Sequence, residues 1–467
     1  MSRALLAIGA FFTAAFFLSV LAPGCANIVP PGGGPRDTLP PVLVSAVPRD
    51  SAVNVTERKL VLQFNEFVEL KSPAEKILVA PYPKQMPSFE YRLRTVTVRL
   101  KDSLLPNTTY VIDFGDAIVD LNEGNPAKNF RYIFSTGAAI DTNQLTGRII
   151  LAETGKTDST LFALLHTRRQ DSTVALETPP YVARVDANGY FRFTNLPAGR
   201  YYVYALGEAD GNKRYNLPTE IFAFLDTAIA VSANTPPVTL YAYAAEKEKK
   251  KEPAARPAEK KPFAYRANIE GGAVHLYDSL ELRYSHPLAA TDSAAVQLLS
   301  DSGRSQQPFR LFYDSVTYRL IVAARWQPGA TYQLVLGRGY ATDTAGTKAP
   351  GNDTLSFRIR AEKEYGSIRI RLRNADTAGR PVLLFYSGDQ IAHSIPFTGR
   401  EIYRRYFMPG SYQLAILFDT NGNGVWDPGD YFAKPRRQPE RVRALNKAFT
   451  VKENWDNELE IELTAEQ

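Results

Sequence analysis

Leu105-Pro106-Asn107-Thr108-Thr109-Tyr110-Val111-Ile112 returns further along the chain as Gln327-Pro328-Gly329-Ala330-Thr331-Tyr332-Gln333-Leu334. Proline fixes φ for a turn, and β-branched threonine then enters a strand. Each copy follows a stretch of alternating hydrophobicity (95–100 and 317–322) and leads into an Asp-containing loop (116–125 and 341–351). Each ends in a final strand, 130–136 or 354–360. Alternation of period two argues for half-buried strands.

A second pair interleaves with the first. Leu196-Pro197-Ala198-Gly199-Arg200-Tyr201-Tyr202-Val203 parallels Phe407-Met408-Pro409-Gly410-Ser411-Tyr412-Gln413-Leu414. Each runs into a polar loop, 208–216 or 419–430. The order is A-B-linker-A′-B′: module A 41–138, B 139–243, a Lys/Glu/Pro/Ala linker 244–262, A′ 263–362 and B′ 363–467. Short strands at regular spacing, with no βαβ rhythm, predict an all-β chain of tandem sandwiches.

Composition agrees with this reading. The 467 residues suit about three or four domains. Tyr and Phe number 25 each against three Met and three Trp, which favours pleated surfaces. The net charge of +6 is mild, and much of it falls in the run 246–261. No helix-turn-helix or zinc-finger spacing is present, so a nucleic-acid role is not expected.

The N-terminus carries an address. Arg3 precedes an apolar stretch, 4–21, and then Leu21-Ala22-Pro23-Gly24-Cys25. This pattern predicts a secretory signal peptide over 1–24. A small residue before a lone Cys resembles the bacterial lipobox, although Ala22 stands where that motif has Leu. The resemblance implies a covalent lipid on Cys25, the chain's only cysteine. The stretch is also long enough to serve as a transmembrane anchor, and a plain signal peptide with an incidental Cys25 is a third reading. Residues 25–40, rich in Pro and Gly, read as a tether. Ala26 in place of Asp, and no acidic cluster after Cys25, imply by resemblance to known lipoproteins an outer-membrane location on the periplasmic face.

Module A resembles the bacterial Ig-like domains of the S-layer type found in Bacteroidetes lipoproteins. The carriers are Pro48-x-x-Ser51-x-Val53, Leu62-x-Phe64-Asn65-Glu66-Phe67-Val68, the Pro106 motif, and Phe134-Ser135-Thr136-Gly137. Module A′ keeps less of it, with Tyr284-Ser285-His286 at the Phe-Asn-Glu element. Module B resembles transthyretin-like or carboxypeptidase-regulatory-like sandwiches, through Gly189-Tyr190-Phe191-x-Phe193 and Leu196-Pro197-Ala198-Gly199-x-Tyr201. Neither fold implies an activity by itself.

The one motif with site chemistry is Asp419-Thr420-Asn421-Gly422-Asn423-Gly424-Val425-Trp426-Asp427-Pro428-Gly429-Asp430. Its spacing is that of an EF-hand loop, in which alternate oxygen ligands wrap a hard cation. Asp419, Asn421, Asn423, Asp427 and Asp430 would supply side-chain oxygens, and Val425 its carbonyl. The flanks read as strands rather than helices, so this would be a structural Ca2+ loop on a β scaffold. The alternative is a polar turn with no metal. The loop at Glu208-Ala209-Asp210-Gly211-Asn212 keeps part of the pattern, with Glu220 as a further candidate ligand.

No nucleophile elbow or metal-type histidine spacing is present among His166, His275, His286 and His393, so catalysis is not expected. The loop acids Asp116, Asp120 and Glu123 read as a solvated turn, a cation site or a partner contact. The leading expectation is a non-catalytic outer-membrane lipoprotein acting as a spacer and protein-docking module. A glycan-binding accessory lipoprotein, with rings from Tyr201-Tyr202-Val203-Tyr204, is the alternative, although alternation puts only half of those rings on one face and most of them read as core. An envelope hydrolase ranks third.

Overall fold

The computed structural model describes residues 37–168, 170–208, 210–246, 263–300, 305–374 and 379–463. The leader, Cys25, the tether as far as residue 36, and linker residues 247–262 lie outside the described residues. Two compact units emerge: residues up to Val79 with Pro83–Ile140, and Ala80–Tyr82 with the chain from Asp141 onward. The all-β expectation holds: strands dominate, and the described helices are single turns. Among the described residues, no helix is long and apolar enough to cross a membrane.

The first unit is module A. In Lys59–Phe64, Leu60, Leu62 and Phe64 are buried while Lys59 and Gln63 face out, as a pleat of period two dictates. This strand lies in a sheet ordered Leu43–Val47, Lys59–Phe64, Thr95–Arg99, Ser88–Arg92, antiparallel throughout. A second sheet holds Leu78–Ala80, Thr109–Gly115 and Phe130–Ser135, and a ribbon pairs Val68–Leu70 with Ile118–Asp120. Leu62, Phe64, Val96 and Val98 from one sheet meet Ile112, Phe114, Tyr132 and Phe134 from the other. Each such burial contributes roughly 1.5–3 kcal/mol.

The repeated Pro-x-x-Thr-Tyr motif has a physical explanation here. The phenol oxygen of Tyr110 accepts the backbone N–H of Leu105 at 2.8 Å, tying the turn to the strand that follows it. The Thr136 hydroxyl donates to the Leu105 carbonyl at 2.7 Å and closes the same corner from the last strand.

Module A′, in the second unit, repeats this arrangement and adds the short edge strands Ala273–Val274 and Ser305–Gln306 to its second sheet. Tyr265–Ala267, Leu280–Tyr284, Arg319–Ala324 and Phe309–Asp314 form one sheet. Val296–Ser300, Thr331–Leu336 and Asp353–Ile359 are the core of the other, and Leu288–Thr291 pairs with Ala341–Asp343. The Tyr332 phenol accepts the Gln327 N–H at 3.1 Å, the counterpart of the Tyr110 corner. Tyr284 stands where module A has Phe64, and its added hydroxyl finds the Tyr340 hydroxyl at 2.9 Å.

Modules B and B′ share another plan. In B, Asn143–Leu151 pairs antiparallel with Tyr190–Leu196 and parallel with Val238–Ala244. Gly199–Gly207 runs between Phe162–His166 and Ile221–Phe224. In B′, Gly366–Arg373 pairs antiparallel with Glu401–Phe407 and parallel with Asp456–Glu462. Gly410–Phe418 runs between Pro381–Ser387 and Arg441–Val451. Gly147 is needed for this packing, because a Cβ there would stand 2.4 Å from the Val238 carbonyl oxygen and from the Phe191 ring. The second repeated motif makes a corner of its own: the phenols of Tyr201 and Tyr412 donate to the carbonyls of Pro197 and Met408, each at 2.9 Å.

Candidate functional site

The 419–430 loop leaves strand Gly410–Phe418 and returns to Arg441–Val451. Asp419 is buried, and its two carboxylate oxygens accept the N–H groups of Gly422 at 2.6 Å and Gly424 at 2.7 Å. Gly424 has φ +79°, a left-handed conformation that suits glycine. The Asn421 and Asn423 side-chain oxygens accept the N–H groups two residues on, at 2.9 and 2.8 Å. Their amide nitrogens both donate to one oxygen of Asp427, at 2.6 and 2.7 Å. The loop therefore gathers Asp419, Asn421, Asn423 and Asp427, with Val425 at its exposed tip.

Asp430 is not part of that gathering. Its carboxylate accepts the N–H groups of Phe432 and Ala433, both at 3.0 Å, and its backbone pairs with Arg437. The buried acid that organises the loop from its far end is Glu440. One carboxylate oxygen accepts the Thr420 N–H and hydroxyl, at 2.7 and 2.8 Å, and the other accepts the Asp427 N–H at 3.1 Å. Trp426 donates its indole N–H to the Glu440 carbonyl at 2.7 Å. Glu440 falls outside a twelve-residue motif, but the repeat held a signal for it. It immediately precedes its strand, as Glu220 precedes Ile221–Phe224 in module B. Glu220 is likewise buried and accepts the N–H groups of Asn216 and Leu217.

The module B loop differs at one decisive position. Lys213 and Gly424 both lie five residues after the first carboxylate of their loops, Glu208 and Asp419. Both have positive φ, +58° for Lys213. The Lys213 ammonium pairs with the Glu208 carboxylate and lies 4.3 Å from the centre of the Phe162 ring. Module B thus closes its loop with a built-in cation, where B′ has only glycine. Among the described residues, no group of three or more His, Cys, Asp or Glu side chains is gathered closely enough to hold a metal ion. The B′ loop would have to rely on its amide and backbone oxygens as well as its acids.

Beyond the loop tip, residues 428–440 dock onto module B. Tyr431 is almost fully buried, with its ring centre 5.1 Å from that of Phe224 and 5.3 Å from that of Phe222. Phe432 stacks on Tyr215 at 5.9 Å. Arg436 covers the Tyr431 ring at 4.2 Å and forms an ion pair with Asp171. Gln438 donates to the Phe224 carbonyl at 3.2 Å, and the Val442 N–H to the Ala152 carbonyl at 2.7 Å. His166 lies beside this seam, edge-on to Tyr204 at 5.7 Å. It is buried and its Nε2 has no hydrogen-bond partner. Burial pushes its pKa down to about 4, although the Glu177 charge acts the other way.

The rings that suggested glycan stacking lie inside. Tyr201 and Tyr204 are buried, Tyr201 in its corner and Tyr204 against Tyr431. Asp120 is buried too, and its carboxylate holds the N–H groups of Glu123, Gly124 and Asn125, as a loop organiser does.

Comparison with known proteins bears on module A. Residues 37–136 match the family described as Bacterial Ig-like domain, over the same stretch that carried the resemblance in the sequence. No curated protein matches the chain. Among solved structures, the N-terminal part of the bacterial S-layer protein SbsC is 18% identical, with 45% of each chain covered and a TM-score of 0.16. BcpA, the major pilin subunit of Bacillus cereus, is 12% identical, covering 68% of this chain and 99% of that one at a TM-score of 0.17. The BSP domain of a biofilm-associated protein is 9% identical, covering 94% and 100% at 0.17. Scores this low give no guide to function.

Proposed function

We propose that this chain is a non-catalytic structural lipoprotein of the bacterial cell envelope, anchored through a lipid on Cys25 to the outer membrane. Its Ig-like and transthyretin-like modules would act there as spacer and protein-docking surface. The observation that carries this reading is the bacterial Ig-like match at 37–136, separated by only eleven residues from the lipobox-like Cys25. The deeply buried acids Asp120, Asp419 and Glu440 support it, because their carboxylates all hold loop backbone. Within this reading, the B′ loop takes a hard divalent cation such as Ca2+ through Asp419, Asn421, Asn423, Asp427 and the Val425 carbonyl, with Glu440 fixing the loop's far end. The contrast with Lys213 supports that assignment.

The test is a pull-down from detergent-solubilised outer membranes with the lipidated, C-terminally tagged protein, beside a Cys25→Ala control. Specific envelope proteins should co-purify with the lipidated form alone. Outer-membrane fractionation without any protein partner would remove the docking role, and glycan-array binding would then favour the accessory reading. If the wild type fractionates like Cys25→Ala, the anchor is wrong.

A further inference from the structure

The edge of module A nearest the N-terminus presents an apolar strip. Leu39, Val42, Val44 and Val47 are 70%, 59%, 65% and 68% exposed, all within nine residues. Three of them lie on or beside strand Leu43–Val47, which among the described residues pairs only with Lys59–Phe64 and forms the outer edge of its sheet. A bulge between Leu43 and Ser45 turns Val44 outward while Leu43 and Ala46 pack against the core. Single exposed aliphatic residues need no explanation, but a contiguous strip on a sheet edge marks a contact surface.

The residues around the strip narrow what covers it. Pro40 and Pro41 precede the strand and Pro48 follows it. Proline donates no backbone hydrogen bond, so the edge is short and guarded against an added strand. The far end of the strip carries exposed Arg49 and Lys59. The neighbouring Asp50 is engaged by the Ile133 N–H at 2.9 Å. Aliphatic side chains with cations at the Val47 end match an anionic lipid surface there, while the acids Asp37 and Glu66 lie at the Leu39 end. Only eleven residues, 26–36, separate Cys25 from the start of the described module. Even fully extended, that chain spans no more than roughly 40 Å. A lipid on Cys25 would therefore hold the strip within reach of the bilayer at high effective concentration.

We propose that the Leu39–Val47 edge is a membrane-contacting surface, with Val44 and Val47 seated at headgroup level and Arg49 and Lys59 on anionic lipid. The proposal rests on the lipid-anchor reading. It adds a fixed orientation to the first module, which a tether alone would leave free.

The experiment uses the full lipidated chain reconstituted in phosphatidylethanolamine–phosphatidylglycerol vesicles. Cys25 is the only cysteine, so once acylated it leaves Val44→Cys as the sole free thiol for an environment-sensitive fluorophore. Tyr91→Cys, on strand Ser88–Arg92 at the opposite edge of the same sheet, is the control. The label at 44 should shift to the blue in vesicles while that at 91 does not, and Val47→Asp added to Val44→Cys should abolish the shift. A label at 44 that stays as wet as the one at 91, on protein that floats with the vesicles, overturns membrane contact while leaving the anchor standing. Failure to float overturns the anchor and this proposal with it. A concentration-dependent blue shift without vesicles assigns the strip to a second copy of the chain and overturns the lipid assignment.

Discussion

The phenol oxygens of Tyr431 and Tyr204 lie 3.4 Å apart although 227 residues separate them in the chain. Both groups are buried, which pushes both phenols above their ordinary range and keeps them neutral. Replacing Tyr431 with Ala would open a cavity among Phe222, Phe224 and Tyr204. The expected cost is roughly 3–5 kcal/mol, with B and B′ then unfolding separately. Urea denaturation followed by calorimetry checks this, and an unchanged single transition would refute the seam.

Tyr110→Phe and Tyr332→Phe each leave one turn N–H without its acceptor, at Leu105 and Gln327. Each substitution should cost about 1 kcal/mol. Thermal melts against Tyr91→Phe, which alters an exposed ring, measure the difference. Equal midpoints for all three would show that the corner contributes nothing.

The Lys213–Gly424 contrast makes reciprocal predictions. Lys213→Gly leaves the buried Glu208 carboxylate without its ammonium, at an expected cost of about 3 kcal/mol. Gly424→Lys should supply a cation to the B′ loop and abolish its response to Ca2+. Trp426, bonded to Glu440 within that loop, is a fluorescent reporter for the titration. A wild-type protein whose emission and melting are the same in Ca2+ and in chelator would refute the cation reading.

His166 sets a pH dependence. Burial lowers its pKa from 6.5 to about 4 in the folded chain, so folding favours the neutral ring. The stability it supports is complete above about pH 6.5, declines as the unfolded chain takes up the proton, and is lost by about pH 4. Its size is on the order of 3 kcal/mol. His166→Leu should flatten this part of the profile, read as the difference between the two proteins' urea midpoints at pH 7 and pH 4.5. Parallel losses in both would assign the acid sensitivity to other groups.

The corner motifs were legible because their chemistry is local. Pro106 and Tyr110, or Pro197 and Tyr201, sit four residues apart, and the bond they frame closes within one turn. The first half of the B′ loop was legible for the same reason: its hydrogen bonds join residues two to six apart. Asp430 shows the limit of spacing, which counts residues but does not fix which way a carboxylate turns. Tyr431 and Phe432 carried no signal in the sequence, because the surface that buries them is contributed by module B. No local pattern encodes such a contact. In the ring-rich stretch 201–204, Tyr204 packs on Phe222 of its own module as well as on Tyr431.

The seam also imposes an order on biogenesis. A chain made from its N-terminus completes module B long before Tyr431 emerges, so Phe222, Phe224 and Tyr204 wait for their cover until module B′ arrives. During that interval module B is a sticky intermediate. Conditions that slow the later half of the chain should divert it towards aggregation, in proportion to how long that aromatic face waits for its cover.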